Sequence, residues 1–411
     1  MKKENLLVIA DDLTGANDTG VMFSEAGFET KLEVNLTSLD MVDFLNADVF
    51  SVSTNSRALG VNAEKITENA VLSGIKKGIK QIYLKIDSTM RGSVQHQIKG
   101  ALTAWTTRYP NAKAIICPAY PDMGRVIKKG CLYVNDIPVN RTASGKDAIC
   151  PVTSPLITDL LPEAIVLPCL SVEELVEKIY TVEEKQIVIE AESHSDLSRI
   201  AMVIHQLGNK IIPVGSAGLA EKLKLLPKHK KQLKHKVKLN RTLIVVTSIH
   251  ETSQNQVEQY ISTLGGKAIV FNPSPSQLIN RRMSESALKQ QLKALIHSST
   301  ENVIIRANPT KIINQGNNLH DITQKIADYL ADLGQYALDN QKFDSLILFG
   351  GDGAAALLGK LGITEMRILY AIVPGVPFCI VDDGASYSGM KVMTKSGGFG
   401  DPNLLNEMMK M

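Results

Sequence analysis

The chain repeatedly places a short apolar segment directly before a polar loop and an amphipathic helix. The first such unit consists of Leu6–Ala10, a loop over Asp11–Asn17 and a helix that ends at Gly27. Segments of about four to eight residues that are apolar throughout are typical of strands buried on both faces. Alternation of such strands with helices predicts a mostly parallel sheet with helices on both sides.

The first half of the chain contains several further units of this kind. Strands are predicted over Val49–Ser53, Gln81–Lys85, Ala114–Cys117, Ile187–Ile189 and Ile211–Pro213. Helices are predicted over Ala63–Lys77, Ser93–Tyr109 and His194–Leu207. Residues 130–151 interrupt the alternation, and their pattern predicts a small hairpin whose polar turn is Asn135–Asp136.

The second half repeats the alternation. Strands are predicted over Leu243–Val246, Lys267–Phe271, Asn302–Ile305 and Ser345–Phe349. Helices are predicted over Gln254–Thr263, Glu285–His297 and Leu319–Gln341, with another that begins near Ala354. Because 411 residues exceed what one core usually holds, we predict an α/β protein of two domains, each with a mostly parallel sheet flanked by helices, and a cleft between them. The predicted domains are 1–226 and 241–411, joined by a basic linker over 227–240.

The predicted linker lies in a strongly basic stretch. Between Glu221 and Glu251 the chain has nine basic residues and no acidic one, although the net charge of the whole chain is only +3. The basic residues are not interleaved with aromatic ones, and Pro227 lies among them. This favours a solvated linker, with attraction of a polyphosphate or of a nucleic acid as the alternatives. No nucleic-acid partner is expected.

Other features narrow the class of protein. Apolar segments are far shorter than the roughly 20 residues that span a bilayer, so no membrane partner is expected. The five cysteines are an odd number without a CxxC pair, which is typical of reduced thiols and predicts a cytoplasmic location. The histidines form no HExxH or HxxxH pattern, so a transition-metal site is not expected.

Carboxylates crowd the turn that follows the first predicted strand. Asp11, Asp12 and Asp18 lie in the sequence IADDLTGANDTG, together with Asn17. The carboxyl end of a strand in a doubly wound sheet is where ligand-binding groups lie. A carboxylate there can accept hydrogen bonds from sugar hydroxyls or take a proton from an attacking hydroxyl. The alternative is that Asp12 or Thr14 only caps the next helix.

Two further strand ends carry cations. The segment KIDSTMRGS places Lys85 and Arg91 on either side of Asp87 and Ser88. Arg57 similarly follows the second strand, in TNSR. Such a set can bind a carboxylate through charge-assisted hydrogen bonds and sugar hydroxyls through the remaining polar groups. The alternative for the Lys85 segment is a helix capped by Ser93, with Arg91 solvated.

Two glycine-rich segments lie in the second half. The first, FGGDGAAA, contains Gly350, Gly351, Asp352 and Gly353 between a strand and a helix. Backbone N–H groups in this arrangement bind phosphate, and Asp352 is a candidate ligand for Mg²⁺. Alone, such a GGDG is weak support for a nucleotide site. The second segment, TKSGGFGD, carries Lys395, Gly397 and Gly398 and is expected either to clamp a nucleotide or to form a turn near the chain end.

Taken in this order, the motifs resemble those of the four-carbon acid sugar kinase family over nearly the whole chain. The segments that carry the resemblance are 11–16, 54–57, 85–92, PAYP at 118–121 with Gly124 and Arg125, GSAGL at 215–219, PGVP at 374–377, and 395–400. The resemblance implies an N-terminal domain that binds a tetronate-type acid and a C-terminal domain that binds ATP. It implies phosphorylation of threonate, erythronate or 3-oxo-tetronate.

The chain departs from the family pattern at two places in the second half. Thr247-Ser248 stands where Gly-Ser is usual, and Gly353 stands where a threonine usually follows the acid. The resemblance still implies that Ser248 binds the nucleotide, together with the glycines, Lys395 and Asp352. A hydroxyl missing at position 353 is expected to weaken phosphate or metal contact.

These observations give one principal hypothesis and two alternatives. We expect an ATP- and Mg²⁺-dependent kinase of a small acid sugar, with Arg57, Lys85 and Arg91 on the acid's carboxylate and Asp12 or Asp87 as the catalytic group. Asp11, Asn17 and Ser88 are expected to complete the substrate site. The alternatives are a kinase of a different small hydroxy acid and a non-catalytic sugar-acid sensor with a degenerate nucleotide site. A homodimer is left open.

Overall fold

The computed structural model describes residues 5–34, 36–39, 46–147, 149–223, 237–264, 268–298, 300–308, 319–384 and 386–410. The chain forms two compact units, Met1–Lys231 and Gln232–Met411. Most of the predicted basic linker, over 227–236, lies outside the described residues. The domain boundaries and the cleft stay predictions.

The first unit contains an eight-stranded sheet and a separate three-stranded one. Its strands are β1 (Leu6–Ala10), β2 (Thr30–Glu33), β3 (Val49–Ser53), β4 (Gln81–Lys85), β5 (Lys113–Cys117), β6 (Arg125–Lys128), β7 (Cys131–Val134), β8 (Ile137–Pro138), β9 (Ala164–Leu167), β10 (Gln186–Ile189) and β11 (Ile211–Gly215). Its helices are α1 (Leu13–Glu25), α2 (Leu36–Leu39), α3 (Asn62–Lys76), α4 (Val94–Thr106), α5 (Ile157–Leu160), α6 (Val172–Thr181), α7 (His194–Leu207) and α8 (Ala217–Lys222).

The large sheet of the first unit is parallel throughout. Its strand order is β2-β3-β1-β4-β11-β5-β10-β9. The chain passes from β1 to β2, returns to β3, which lies between them, and then continues on the other side of β1 with β4. The strand order therefore reverses between β1 and β4, and a crevice at the carboxyl ends of these strands is where such sheets bind ligands.

Burial on both faces explains why β1 is apolar throughout. Leu7 and Ile9 pack into a core on one face of the sheet, and Leu6 and Val8 pack into a second core on the other face. Because side chains of a strand alternate between faces, a sheet covered on both sides needs apolar residues at every position.

The small sheet consists of β6, β7 and β8, which pair antiparallel. Asn135 and Asp136 both have positive φ, 49° and 61°. Two such residues between short strands are typical of a type I′ hairpin turn. The hairpin and its polar turn are thus confirmed.

The second unit contains a seven-stranded sheet. Its strands are β12 (Thr242–Val246), β13 (Ile269–Phe271), β14 (Val303–Arg306), β15 (Ser345–Phe349), β16 (Glu365–Val373), β17 (Val376–Val381) and β18 (Lys391–Lys395). Its helices are α9 (Glu251–Leu264), α10 (Pro275–Ile279), α11 (Arg281–Ser298), α12 (Leu319–Asn340), α13 (Gly351–Lys360) and α14 (Leu404–Met409).

The strand order of the second unit is β13-β14-β12-β15-β18-β17-β16. The pairings from β13 to β18 are parallel, whereas β17 pairs antiparallel with both β18 and β16. The direction of the strand order reverses between β12 and β15. The glycine-rich segment after β15 therefore lies at the position expected for a ligand site in such a sheet.

The predicted α/β class with mostly parallel sheets and flanking helices is confirmed. The antiparallel strands β16 and β17 did not follow from the alternating pattern, and neither did β2 and β9. Helix α13 begins at Gly351, three residues before the predicted start, so Asp352 and Gly353 lie in its first turn. Among the described residues, no helix is long and apolar enough to cross a membrane.

Helices α3 and α4 touch backbone to backbone at Gly100, which gives a testable prediction. A Cβ at Gly100 would lie 2.1 Å from the carbonyl oxygen of Glu64. Gly100→Ala should therefore lower the free energy of unfolding by about 2 to 3 kcal/mol, because the helices must separate. Urea unfolding monitored by circular dichroism measures the change.

The matched control is Gly359→Ala in α13, where the added Cβ would have no described atom within 4 Å apart from its chain neighbours and the backbone of its own helix. This helical site should gain up to about 1 kcal/mol, because alanine favours the helix over glycine. Equal effects of the two substitutions would contradict the backbone contact.

Candidate active site

In the first unit, the predicted charged residues meet at the carboxyl ends of β1, β3 and β4. Ala10, the last residue of β1, is in register with Ser53 of β3 on one side and with Lys85 of β4 on the other. Asp11 and Asp12 follow β1 directly. The reversal of strand order thus brings together residues from three separate sequence motifs.

Arg57 is the centre of this charged cluster. Its Nε donates to Asp11 Oδ2 at 2.6 Å, its Nη1 lies 2.7 Å from Asp12 Oδ2, and its Nη2 lies 3.7 Å from Asp87 Oδ2. The Asp11 side chain is fully buried, and that of Arg57 is 23% exposed. Burial raises the pKa of Asp11, although Arg57 opposes this effect. The guanidinium therefore compensates three carboxylates whose mutual repulsion would otherwise be severe.

Asp87 is held by a second arginine and by its own turn. Its Oδ2 accepts from Arg91 Nη2 at 2.7 Å, and its Oδ1 accepts from the backbone N–H and the hydroxyl of Thr89. Burial opposes ionisation of Asp87, but Arg91 and Arg57 outweigh it and hold the pKa well below its usual range. Arg91 Nη1 also donates to Asp147 Oδ2 at 3.0 Å. Asp87 is therefore ionised, and both of its oxygens accept hydrogen bonds.

Asp12 has the capping role that the sequence left open, in addition to its ion pair. Its Oδ1 accepts from the backbone N–H of Gly15 at 2.6 Å and so caps α1. The same carboxylate contacts Arg57 through Oδ2. Both oxygens of Asp12 are thus engaged.

Lys85 differs from the two arginines. It is only 6% exposed, and a Cβ at Gly15 would lie 2.7 Å from its Nζ, so the ammonium lies against the start of α1. Among the described residues, no carboxylate lies within ion-pair distance of its Nζ. A buried ammonium without such a partner is suited to bind an anion.

The remaining predicted residues of the first unit are less central. Asn17 is fully buried inside α1, and Ser88 is partly exposed in the turn after β4. A pocket of about 350 Å³ lies next to the cluster and is lined in part by Arg57, Ser93 and Cys150. Asp11, Asp12 and Lys85 are not among its lining residues.

In the second unit, the segment after β12 packs against the glycines that begin α13. Thr247 Oγ1 donates to the carbonyl of Phe349 at 2.9 Å. A Cβ at Gly353 would lie 2.1 Å from Thr247 Oγ1 and 2.4 Å from Thr247 Cβ. Gly350 has a φ of 105°, a conformation that favours glycine. The two departures from the family pattern are therefore in direct contact: Thr247 occupies the space that a side chain at 353 would need.

Lys395 is a buried cation at the end of β18. Its side chain is 1% exposed, and its Nζ donates to Ser253 Oγ at 3.1 Å and to the carbonyl of Gly397 at 3.2 Å. The Nζ also lies 4.3 Å from the centre of the Phe349 ring. Burial lowers its pKa to about 7. No carboxylate among the described residues pairs with Lys395, so a bound anion would favour its charged form.

Ser248 and His250 pack against the second glycine-rich segment. A Cβ at Gly397 would lie 2.2 Å from Ser248 Oγ, and one at Gly398 would lie 3.1 Å from His250 Nε2. The absence of side chains at these glycines thus lets the loop after β12 lie directly on the loop after β18. His250 was not predicted, because nothing in the spacing of the histidines marks it.

These features suit a polyphosphate. The first turn of α13 directs backbone N–H groups outward, the adjoining loops are glycine-lined, and a buried lysine lies beside them. Among the described residues, no cluster of three or more His, Cys, Asp or Glu could hold a metal. Mg²⁺ bound with phosphates usually needs only one or two carboxylates and several waters, and Asp352 in the first turn of α13 fits that need.

The structure thus assembles most of the predicted residues into two groups, one in each unit. Asp11, Asp12, Arg57, Lys85, Asp87 and Arg91 form the first, and Ser248, Gly350, Gly351, Asp352, Gly353, Lys395, Gly397 and Gly398 form the second. Sequence reasoning missed Asp147, Ser253 and His250. The contact of Asp147 with Arg91 spans 56 residues, and no local pattern indicates it.

Comparison with known families assigns each unit a domain type. Residues 6–223 match a family described as the sugar-binding N-terminal domain, and residues 243–405 match one described as the nucleotide-binding C-terminal domain.

Three relatives match along nearly the whole chain. A D-threonate kinase of Bordetella bronchiseptica is 30% identical, over 97% of this chain and 95% of the relative. A D-erythronate kinase of Heliobacterium modesticaldum is 26% identical, over 97% and 94%. A 3-oxo-tetronate kinase of Cupriavidus necator is 23% identical, over 98% and 96%.

Two solved structures are also similar. A protein of Bordetella bronchiseptica, crystallised with bound citrate as a domain-swapped dimer, is 29% identical with a TM-score of 0.50, and the match covers 98% of each chain. A protein of Haemophilus influenzae is 23% identical with a TM-score of 0.72, and the match covers 98% of this chain and 99% of that one. The second likeness supports the fold.

The engagement of Asp87 predicts a loss of stability that depends on pH. Asp87→Asn should lower the free energy of unfolding by about 2 to 3 kcal/mol at pH 7, because Arg91 and Arg57 lose a carboxylate. The folded-state pKa of Asp87 lies below its unfolded value, so its stabilisation is present above about pH 4 and is lost as the pH falls further. The difference between wild type and variant should therefore narrow only below about pH 4.

Urea unfolding at pH 7, 5 and 3.5 measures this dependence. Asp122→Asn is the control, because Asp122 is 57% exposed and, among the described residues, pairs only with the exposed His194. Its effect should stay below about 0.5 kcal/mol. A difference between Asp87→Asn and wild type that widens toward low pH would contradict the ion-pair assignment.

The contact between Thr247 and Gly353 predicts strong non-additivity. Gly353→Ala should cost about 1 to 3 kcal/mol, because the new Cβ overlaps the Thr247 side chain. In Thr247→Gly/Gly353→Ala the overlap is gone, so most of this loss should be recovered. Chemical denaturation of the two single variants and the double variant gives the coupling energy, and additive effects would rule out the contact.

Proposed function

Because the chain belongs to the four-carbon acid sugar kinase family, we propose that it transfers the γ-phosphoryl group of ATP to a hydroxyl of a small acid sugar. The chain is a phosphotransferase. The match to each family domain covers nearly all of the corresponding unit. The observation that carries the proposal is that, in the part of the chain that the structure describes, each unit has a buried lysine without a carboxylate partner: Lys85 beside the acidic cluster and Lys395 beside the glycine-lined loops.

In the proposed sugar site, Lys85 binds the carboxylate of the acid. Arg57 and Arg91 already contact carboxylates of the protein, so we propose that they chiefly shape the site and neutralise it, in place of the direct contact predicted from sequence. Sugar hydroxyls would be bound by the exposed edges of Asp12 and Asp87, with Ser88 nearby. Asp11 and Asn17, both buried, would support the loop after β1.

In the proposed nucleotide site, the α13 N-terminus and the loops of Gly350–Gly353 and Gly397–Gly398 bind the phosphates. Ser248 and Lys395 line the same loops. Asp352 would hold Mg²⁺, which when bound offsets negative charge on the transferring phosphates. Phosphoryl transfer depends mainly on positioning and on charge neutralisation, and these residues supply both.

We propose a four-carbon acid as the substrate, in the group that includes threonate, erythronate and 3-oxo-tetronate. The relatives named for these acids are similarly distant from this chain, at 23% to 30% identity, so all three are candidates. The domain-swapped dimer of a similar protein makes a homodimer a further proposal, which light scattering can test. The cytoplasmic location stays a prediction from sequence.

The alternative is a sugar-acid sensor that does not bind nucleotide, which the departures at 247 and 353 suggested. The contact between these residues weakens that alternative. Thr247 keeps a hydroxyl next to the first turn of α13, so the change at 353 does not remove the hydroxyl from this part of the unit.

A coupled ADP-release assay over a panel of acids tests the function. We expect turnover with at least one of threonate, erythronate and 3-oxo-tetronate, and little with glycerate or gluconate. Phosphorus NMR of the product identifies the phosphorylated hydroxyl. No phosphorylation of any four-carbon acid would refute the proposal.

Crossed variants test the two sites separately by thermal shift. Lys395→Met should lose the stabilisation by Mg-ATP and keep that by the acid, whereas Lys85→Met should do the reverse. A ligand at 100 times its Kd adds about 2.7 kcal/mol, which such a shift resolves easily. A wild-type protein stabilised by the acid and not by Mg-ATP would instead identify the sensor.

A further inference from the structure

Asp18 is a carboxylate near the acidic cluster whose Oδ1 is left without a hydrogen bond. It lies on α1, one turn after Thr14, and both side chains are on the partly exposed side of the helix. The Asp18 Oδ1 atom is nevertheless buried and accepts no hydrogen bond from the described residues. A buried carboxylate oxygen without a donor needs an explanation, and a ligand hydroxyl would supply the missing donor.

The charges that act on Asp18 come from the proposed sugar site. They are Lys85 at the end of β4, Arg57 after β3, and Asp12 at the start of α1 itself. Burial and, to a smaller extent, the charge of Asp18 raise the pKa of Tyr120, which follows β5. Asp18 therefore belongs to the same electrostatic environment as the predicted substrate residues.

The charged groups on the other elements packed against α1 do not shift the pKa of Asp18. On α8, Lys222 and Glu221 pair with each other at 2.7 Å. On β3, Ser51 donates its hydroxyl to the backbone carbonyl of Ala16. The strand β2 carries Lys31 and Glu33, and neither is among the groups that shift the pKa of Asp18.

The three neighbouring carboxylates are poorly suited to accept a proton. Asp12 uses one oxygen to cap α1 and the other to contact Arg57. Asp87 contacts both Arg91 and Arg57, and Asp11 is fully buried against Arg57. Protonation of any of the three would weaken an ion pair with an arginine, even though Asp11 Oδ1, like Asp18 Oδ1, accepts no hydrogen bond from the described residues. Asp18 forms no ion pair with an arginine in the described part of the chain.

We propose that Asp18 is the general base of the phosphoryl transfer. The proposal rests on the function proposed above. The substrate hydroxyl gives its proton to Asp18 Oδ1, its oxygen forms the new bond to the γ-phosphorus of ATP, and the bond from that phosphorus to the β,γ-bridging oxygen breaks, with the electron pair leaving on ADP. Lys85 would fix the acid's carboxylate at the same time. The role replaces the catalytic one that the sequence predicted for Asp12 and Asp87.

The pKa of Asp18 also suits a general base. Burial raises its pKa to about 7, and the opposing effect of Lys85 is smaller. A general base is most effective when its pKa lies near the working pH. Because the base must be deprotonated, kcat should rise with pH through the neutral range and level off above it.

The test compares Asp18→Asn with wild type on the best acid of the panel. We expect kcat to fall by about 10² to 10⁴, KM to change by no more than about threefold, and the rise of kcat near neutral pH to disappear. Asp18→Glu should recover part of the activity. Glu25→Gln, which removes a carboxylate from the far end of α1, is the matched control and should keep the wild-type kcat and pH profile.

A stability measurement separates catalysis from a structural role. The folded-state pKa of Asp18 lies above its unfolded value, so the ionised group opposes folding above neutral pH. At pH 8, Asp18→Asn should therefore unfold at the same or a higher urea concentration than wild type.

The outcomes are distinguishable. If wild type phosphorylates a four-carbon acid and Asp18→Asn keeps its kcat and pH profile, the base assignment is wrong and the function stands. A variant that is markedly less stable at pH 8, or that loses affinity for the acid as much as it loses kcat, also overturns the assignment. A wild type that phosphorylates no acid overturns the proposed function, and this inference with it.

Discussion

The first unit depends on compensation of buried negative charge at the carboxyl ends of its central strands. Asp11, Asp12 and Asp87 lie within reach of one guanidinium, that of Arg57. Placing several carboxylates together away from water is costly unless cations and hydrogen bonds accompany them. Arg57 and Arg91 supply that compensation, and the sheet topology makes it achievable because parallel strands bring distant motifs to one edge. Lys85, the cation without a carboxylate partner in this part of the described structure, is then available for an external anion.

The corresponding strand ends of the second unit are held together mainly by close packing of loops. Its loops lie directly against one another because they carry glycines where a neighbouring side chain fills the space. Thr247 fills the space beside Gly353, and Ser248 fills the space beside Gly397. Lys395 connects α9 and the loop after β18 through Ser253 and the Gly397 carbonyl. Order in this unit thus comes from packing of small groups, whereas in the first unit it comes from ion pairs.

Much of the fold could be predicted because buried parallel strands leave an unambiguous apolar signature. The bounds of β1, β3, β4 and β15 agree with the predicted ones to the residue. The strands β16 and β17 were missed because they pair antiparallel without a helix between them, so the alternation with helices does not include them, and β16 is also partly exposed. Local motifs also indicated both groups of candidate site residues, since each motif follows a strand. They could not indicate how charges are shared, because ion pairs such as Arg91 with Asp147 join segments that are far apart in sequence. The sequence likewise favoured Asp12 as the base, because it does not reveal that Asp12 accepts a hydrogen bond from Gly15 and forms an ion pair with Arg57.

The interlocking of Thr247 and Gly353 also restricts how this pair of positions can change over evolutionary time. A larger residue at 353 while threonine remains at 247 would force two atoms into the same volume. Loss of the threonine first leaves only a small void, which proteins tolerate far better. Interconversion between this arrangement and its mirror, with the small residue after β12 and the hydroxyl on α13, therefore has a permitted order of steps. In evolution from either form to the other, the intermediate that avoids the steric overlap has glycine at both positions.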